Sequence, residues 1–232
     1  MSDIKTFKHG EGTGDLIYGL PTISALGGGD LYLNLGLLSV IDLLKLQPYI
    51  HDVIVERMPD EPWRSFKVDY DLDLWRQQDY GRHTVSQCHL MTFGVEFDLS
   101  KPWLFNVSPV ISAPIVIHDT GQLRFPGYSV DWKILEQYKD NCVFIGYKNE
   151  YENFIRDRFP VKYYDVVGVL EVARVIKGSK LFVGNSSLGL ALAEGLKCNR
   201  VIDLYRSVPQ YPLSSNGYYE ISNSLIEQYL GV

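Results

Sequence analysis

Strand-like and helix-like segments alternate along nearly the whole chain, and several strand-like runs lead straight into glycine-bearing turns. This alternation constrains the fold more than any other feature. A helix between two strands carries the chain back to where it began, so the strands lie parallel and helices cover the sheet. Ile4 to Lys8 reads as a short strand, followed by the turn Gly10-Glu11-Gly12-Thr13-Gly14-Asp15. A helix then runs to about Leu26 and stops at Gly27-Gly28-Gly29, a strong termination signal. Leu31 to Leu35 is a strand, Leu38 to about Leu46 a helix closed before Pro48, and Val53 to Glu56 a strand. From Val68 to Leu74 apolar and acidic residues alternate, which predicts a strand with one wet face. A less regular stretch from Gln77 to Leu104 holds a helix around Gln87 to Phe93.

The pattern restarts after Pro109 and Pro114. Strands are predicted at Ile115–Ile117, Val143–Gly146, near Tyr163 to Val166, at Leu181–Gly184 and at Val201–Leu204. Helices are predicted at Asp131–Tyr138, Glu150–Asp157, Leu170–Ile176, Ser187–Lys197 and about Ile221–Leu230. The expected architecture is α/β: two small Rossmann-like domains facing each other across a cleft, residues 1–112 and 113–232. A single doubly wound sheet is the competing arrangement.

Composition narrows the function classes. With 46% hydrophobic and 22% charged residues, the chain sits at the globular average. No run approaches the roughly 18–20 apolar residues of a membrane span. The net charge of −6, with Lys and Arg scattered, disfavours nucleic acid as a main partner. Cys88, Cys142 and Cys198 are odd in number and far apart, the usage of a reducing compartment. They offer no zinc spacing. The start lacks a basic segment followed by an apolar run, so no secretory signal is expected and a cytoplasmic location is.

The first glycine turn resembles several phosphate loops but matches none of the strict ones. Glycines at 10, 12 and 14 break the dinucleotide fingerprint, and Asn34 stands where that motif needs an acid. No lysine follows Gly14, so the P-loop fails as well. What remains is Asp15, set near a helix start by a turn whose glycines allow close approach. Such a carboxylate is favoured in its ionised form by the helix amides. It can serve as a general base towards a hydroxyl, or simply cap the helix. The run Gly14-Asp15-Leu16-Ile17-Tyr18-Gly19-Leu20-Pro21 resembles the G-D-x-x-x-x-L-P opening of the family 9, heptosyltransferase-like, glycosyltransferases. The resemblance implies that Asp15 is the catalytic base, with Gly12, Thr13 and Gly14 forming an acceptor-side loop.

The segment from Lys180 to Leu196 holds the second motif. A strand delivers the chain to Gly184-Asn185, two hydroxyls follow at Ser186 and Ser187, and an apolar helix begins. The free N–H groups of a first helical turn beside two serines make a ready anion site. An ordinary serine cap accounts for one serine but not for the whole Gly-Asn-Ser-Ser run. The segment is similar to the F-I-G-N-D-S-G-x-x-H-L-A-A-A-L block with which the same family holds the donor diphosphate. Ser186 replaces an aspartate of that block, Leu188 a glycine and Ala191 a histidine. Glu194 lies two helical turns beyond Ser187. By comparison with other GT-B enzymes it is a candidate for the nucleotide ribose, the alternative being a half-exposed helix glutamate. Ile115 to Pro126 resembles the family's strand, loop and [KR]-W-P, which implies Arg124 on the donor phosphates. Val143 to Glu150 resembles a further family strand and makes Lys148 a candidate phosphate contact.

Other signals are weaker. Asp71-Leu72-Asp73 spells a metal-holding D-x-D but reads better as part of the alternating strand. His118-Asp119 could hold a metal or assist chemistry, and a hydrogen-bonded loop pair is the plainer account. Cys88-His89 reads as packing. Tyr218-Tyr219 could stack on a base or sugar, with ordinary packing as the alternative. Together these readings give a metal-independent, inverting glycosyltransferase with no cofactor. Its substrates would be a nucleotide-diphosphate sugar and an acceptor hydroxyl on a small molecule or glycan. The alternatives are a non-catalytic nucleotide-sugar binding module, or an epimerase or hydrolase on the same frame using His118 and Glu150. The chain is shorter than typical family members, which implies a trimmed acceptor-binding part.

Overall fold

In the computed structural model, which describes residues 4–56, 67–120, 131–203, 216–218 and 220–231, the chain divides between Asn106 and Val107 into two units. Val110 belongs with the second, its N–H donating to the Arg174 carbonyl at 2.9 Å.

The first unit contains β1 (Thr6–His9), α1 (Thr13–Ala25), β2 (Gly29–Asn34), α2 (Ile41–Leu44), β3 (Ile50–Glu56), β4 (Tyr70–Asp71) and α3 (Val85–Phe93). Its strands pair in parallel in the order β3-β2-β1-β4. Phe7, Leu31 and Leu33 are fully buried with Leu16, Ile17, Leu20 and Ile23 of α1. Pro21 lies inside that helix and cannot donate to the carbonyl of Ile17 one turn earlier. The indole N–H of Trp103 fills the gap, donating to Ile17 O at 3.0 Å. The glycine stop after α1 has a steric reason. A Cβ on Gly29 would stand 2.1 Å from the Lys5 carbonyl oxygen, so β2 can enter beside β1 only without a side chain there.

Two expectations are corrected in this unit. The helix predicted over Leu38 to Leu46 is a 3-10 segment, Leu35–Val40, that runs into the single turn of α2. The strand predicted from Val68 to Leu74 is only two residues long, and a 3-10 helix, Leu72–Gln77, follows it. The acids meet solvent only in part, Asp69 being exposed and Asp71 and Asp73 half-buried, and all three bond the adjacent chain. Asp69 accepts from Thr6 N and Oγ1 at 2.8 and 2.9 Å, Asp71 pairs with Lys8 at 3.0 Å, and Asp73 accepts from Gly10 N at 3.0 Å. An acid at every second residue meets every second residue of the adjacent chain, as parallel pairing allows. The alternation therefore stitches β4 to β1.

The second unit contains β5 (Ile115–His118), α4 (Trp132–Glu136), β6 (Cys142–Phe144), α5 (Lys148–Asp157), β7 (Lys162–Tyr163), α6 (Gly168–Gly178), β8 (Leu181–Asn185), α7 (Leu188–Leu196), β9 (Arg200–Asp203), β10 (Gly217–Tyr218) and α8 (Asn223–Leu230). Its sheet is parallel throughout, ordered β10-β9-β8-β5-β6-β7. Ile115, Ile117, Phe144, Phe154, Leu181 and Val183 form its core. Two-residue β10 carries too little pattern to be legible in the sequence.

Each sheet has a point where the strand order reverses. The chain leaves β5 towards β6 and returns on the other flank as β8, and β1 lies likewise between β2 and β4. Loops diverge at the carboxyl ends of such strand pairs, and that is where open α/β sheets bind ligands. Cys88 and Cys142 are buried, Cys198 is partly so, and all three are free thiols. Burial pushes Cys142 up to about 12 and Cys198 to about 11, which leaves both thiols protonated and inert. Among the described residues no helix is long and apolar enough to cross a membrane.

Candidate functional site

Candidate groups collect at both reversal points. In the first unit, β1 ends at His9 and the glycine turn leads into α1, with Gly12 at the N-cap position. Thr13, Gly14 and Asp15 form the first helical turn. Asp15 is therefore not the capping residue. Its Oδ2 accepts from Arg76 Nη2 at 2.7 Å, while Arg76 Nε reaches Glu11 Oε2. The Arg76 guanidinium also lies over the Trp75 ring, 4.6 Å from its centroid. The Asp15 side chain is 25% exposed and that of Arg76 46%, so the pair can meet a solute.

Beneath this pair lies a buried polar layer. His9 Nε2 is 3.2 Å from the Gly12 carbonyl oxygen, and Nδ1 is 3.0 Å from Asp73 Oδ1. His9 thus ties the glycine turn to the segment after β4. His89 is completely buried against Gly19, one turn along α1 from Asp15, and its ring lies 5.4 Å from that of Trp75. Burial above all, and then the His9 ring, hold it well below the usual histidine range. Cys88 and His89 are packing residues of α3.

In the second unit, β5 and β8 run side by side with His118 opposite Gly184. Asn185 Nδ2 donates to Asp119 Oδ1 at 3.1 Å and to Thr120 Oγ1 at 2.9 Å, fastening the two strand ends together. Ser187 is the N-cap residue of α7, yet its hydroxyl makes no capping bond. It is 3.0 Å from His118 Nδ1 and 3.3 Å from the Asn185 carbonyl oxygen instead. The first amides of α7 therefore have no side-chain cap. Ser186 is 5% exposed, and its hydroxyl has no hydrogen-bond partner among the described residues; the same holds for Asn185 Oδ1. Buried polar atoms left in this way ask for a ligand or solvent partner. His118 is buried, and burial lowers it to about 4. Glu150 Oε2 lies 3.8 Å from His118 Nε2 and accepts from Tyr147 N at 2.8 Å. Burial chiefly, with the Asp119 charge, raises Glu150.

The remaining candidates are placed differently. Glu194 is 1% exposed, with one carboxylate oxygen 2.5 Å from Lys197 Nζ and the other on Arg200 Nη2. It is buried rather than half-exposed, held between two cations. Lys148 is an exposed residue whose ammonium lies 4.7 and 4.9 Å from the ring centroids of Tyr151 and Tyr163, a cation–π arrangement. Arg124 lies outside the described residues, as does Tyr219. Tyr218 packs edge-on to Tyr229, hydroxyl to hydroxyl at 2.8 Å. Among the described residues no group of three His, Cys, Asp or Glu could hold a metal. Sequence reading missed Arg76, His9 and Asp73. Only Asp73 left a signal, the spacing of acids already taken for a wet face.

No family model and no curated protein matches the chain. In three dimensions it is similar to a family 9 glycosyl transferase from Veillonella parvula DSM 2008, with TM-score 0.62 and 11% identity over 99% of this chain and 90% of that one. It is also similar to E. coli heptosyltransferase WaaC with ADP, with TM-score 0.63 and 11% identity over 97% and 98%. A third likeness is to the dodecameric iron-containing heptosyltransferase TibC in complex with ADP-D-β-D-heptose, with TM-score 0.59 and 17% identity over 96% and 63%. At these identities the likeness is one of fold. Two units of parallel sheet and covering helices give this chain the α/β, GT-B-like architecture of the family 9 glycosyltransferases.

Proposed function

We propose that the chain transfers a sugar from a nucleotide-diphosphate sugar to an acceptor hydroxyl, with inversion and without a metal. The supporting observation is the Gly184–Ser187 turn. An unpartnered buried Ser186 hydroxyl stands beside the uncapped amides of α7, at the point where the strand order reverses. Neutral donors fixed in advance suit a diphosphate, and they stabilise the charge that grows on it as the sugar leaves. Arg124, outside the described residues, would add a permanent positive charge.

The first unit supplies the base. Asp15 takes the acceptor hydroxyl proton while the acceptor oxygen bonds to the anomeric carbon. The bond from that carbon to the phosphate oxygen breaks, and its electron pair leaves with the nucleoside diphosphate. Arg76 orients the carboxylate and must yield room for the acceptor. The same ion pair favours a second reading, a non-catalytic nucleotide-sugar module in which Arg76 keeps Asp15 occupied.

A thermal-shift screen against UDP, ADP, GDP, CDP and dTDP sugars tests the donor site. ADP sugars come first because the similar WaaC and TibC structures contain ADP and ADP-heptose. A ligand at about 100 times its Kd stabilises the fold by ~2.7 kcal/mol. No shift with any donor refutes the proposal. Binding without transfer or donor hydrolysis over a broad acceptor panel supports the non-catalytic reading.

A further inference from the structure

His118 is seated in a slot lined by glycines. A Cβ on Gly189 would stand 2.7 Å from its Nδ1, one on Gly146 3.0 Å from its Cδ2, and one on Gly184 2.7 Å from its carbonyl oxygen. The ring has one place to lie, with Nδ1 facing Ser187 Oγ at 3.0 Å and Nε2 facing Glu150 Oε2 at 3.8 Å. Burial keeps it neutral at ordinary pH, so it carries a single N–H.

The neighbours decide which nitrogen bears that proton. A bare Nε2 would turn its lone pair on the Glu150 carboxylate oxygen, whereas Nε2–H faces it favourably. Nδ1 is then an acceptor, and the Ser187 hydroxyl donates to it at 3.0 Å in preference to the Asn185 carbonyl oxygen at 3.3 Å, because turning away would set two lone pairs against each other at the shorter distance. A serine hydroxyl has one proton. Spent on His118, it leaves Ser187 only lone pairs to offer outward.

We propose that His118 is a positioning residue that turns the Ser187 proton inward, so that Ser187 takes a ligand hydroxyl rather than a phosphate oxygen. This rests on the donor site proposed above and divides its labour. A phosphate oxygen has no proton to give Ser187 and goes to the α7 amides and Ser186. A hydroxyl of the transferred sugar donates to Ser187.

The direction of the hydroxyl is testable without ligand. In the whole chain labelled with [15N]histidine, long-range proton–nitrogen correlation at neutral pH reads the tautomer of each ring. The His118 signal is assigned by its loss in His118→Asn. A protonated Nε2 and a bare, hydrogen-bonded Nδ1 are expected, and a protonated Nδ1 overturns the proposal. Affinities for ADP and ADP-glucose, and for the matching UDP, GDP, CDP and dTDP pairs, test the ligand assignment. Ser187→Ala should weaken the sugar nucleotide about threefold to tenfold, the worth of one neutral hydrogen bond, and leave the bare diphosphate within about twofold. His118→Leu frees the Ser187 proton and should shift preference towards the bare diphosphate. His118→Asn, which keeps an acceptor near the Nδ1 position, should hold the wild-type ratio. Equal losses for both ligands in Ser187→Ala overturn the assignment. If the wild type binds neither member of any pair, the donor site itself falls, and the tautomer still decides where the Ser187 proton points.

Discussion

The two units end their first strands in the same way and use the result differently. Both β1 and β5 finish on a buried histidine, His9 and His118. In the first unit the ring holds a backbone carbonyl of a glycine turn, with the Asp73 carboxylate 3.0 Å away, and the group presented is a half-exposed ion pair. In the second the ring bonds directly to a side chain of the neighbouring strand-to-helix turn, and the groups presented are hydroxyls and amides. The difference is electrostatic. Under the proposed function, the first arrangement leaves a carboxylate within reach of an acceptor hydroxyl, and the second offers an anion neutral donors already fixed by packing.

Asp15→Asn tests the contrast most severely. A positioned base contributes ~10²–10⁴ in rate, so turnover should fall by about that factor while calorimetry shows the sugar nucleotide still bound. Unchanged turnover would reduce the first unit's cluster to a structural ion pair. Next in size is a pair of glycine variants. Gly189→Ala drives a Cβ to 2.7 Å from His118 Nδ1 and 2.9 Å from Phe182 Cζ. It should cost ~1–3 kcal/mol, seen as a lowered Tm. Gly12→Ala meets nothing closer than 3.4 Å and should leave Tm nearly unchanged, since the first turn is roomy. Similar losses in both would erase the distinction between the turns.

The histidines predict a pH dependence of stability. Folding holds His118 neutral to about 4, against 6.5 for the free ring, and lowers His89 as well. Between those values the unfolded chain binds more protons. The stability from each ring is therefore complete above pH 6.5 and lost as pH falls towards the folded value. Urea titrations across that range should show a slope of at most ~1.4 kcal/mol per pH unit for each ring. His118→Asn should remove its share, and an unaltered slope would show that the ring is not held neutral. The smallest effect is expected for Arg76→Gln. A half-exposed ion pair contributes no more than ~1 kcal/mol to stability, so the Tm should scarcely move while turnover falls. The reverse result would make Arg76 a structural strut.

Much of the fold is written in local pattern. The strand entering Gly184–Ser187 is an apolar run and the one entering Gly10–Asp15 a short mixed one marked by the glycines that follow it, and α1 and α7 begin close to where each pattern ends. The site was legible only where its residues are consecutive. Asp15 and the serine run stood out, whereas Arg76 reaches Asp15 across 61 residues and no local period marks it. The acids at 69, 71 and 73 show how a correct period can carry a wrong inference. Their spacing is real, but a period of two does not say whether that side meets water or the neighbouring strand's donors.

By itself, then, the sequence determined the alternation of strands and helices, their parallel sense and the two turns that carry candidate chemistry. All of these follow from residues within a few positions of one another. Tertiary structure alone decided that Glu194 is closed over by Lys197 and Arg200, that Lys148 rests on tyrosine rings, that Trp103 repairs the carbonyl freed by Pro21, and that His118 turns to Ser187. A side chain's partner is set by which strand lies next to its own, and strand order is fixed by the packing of the whole sheet.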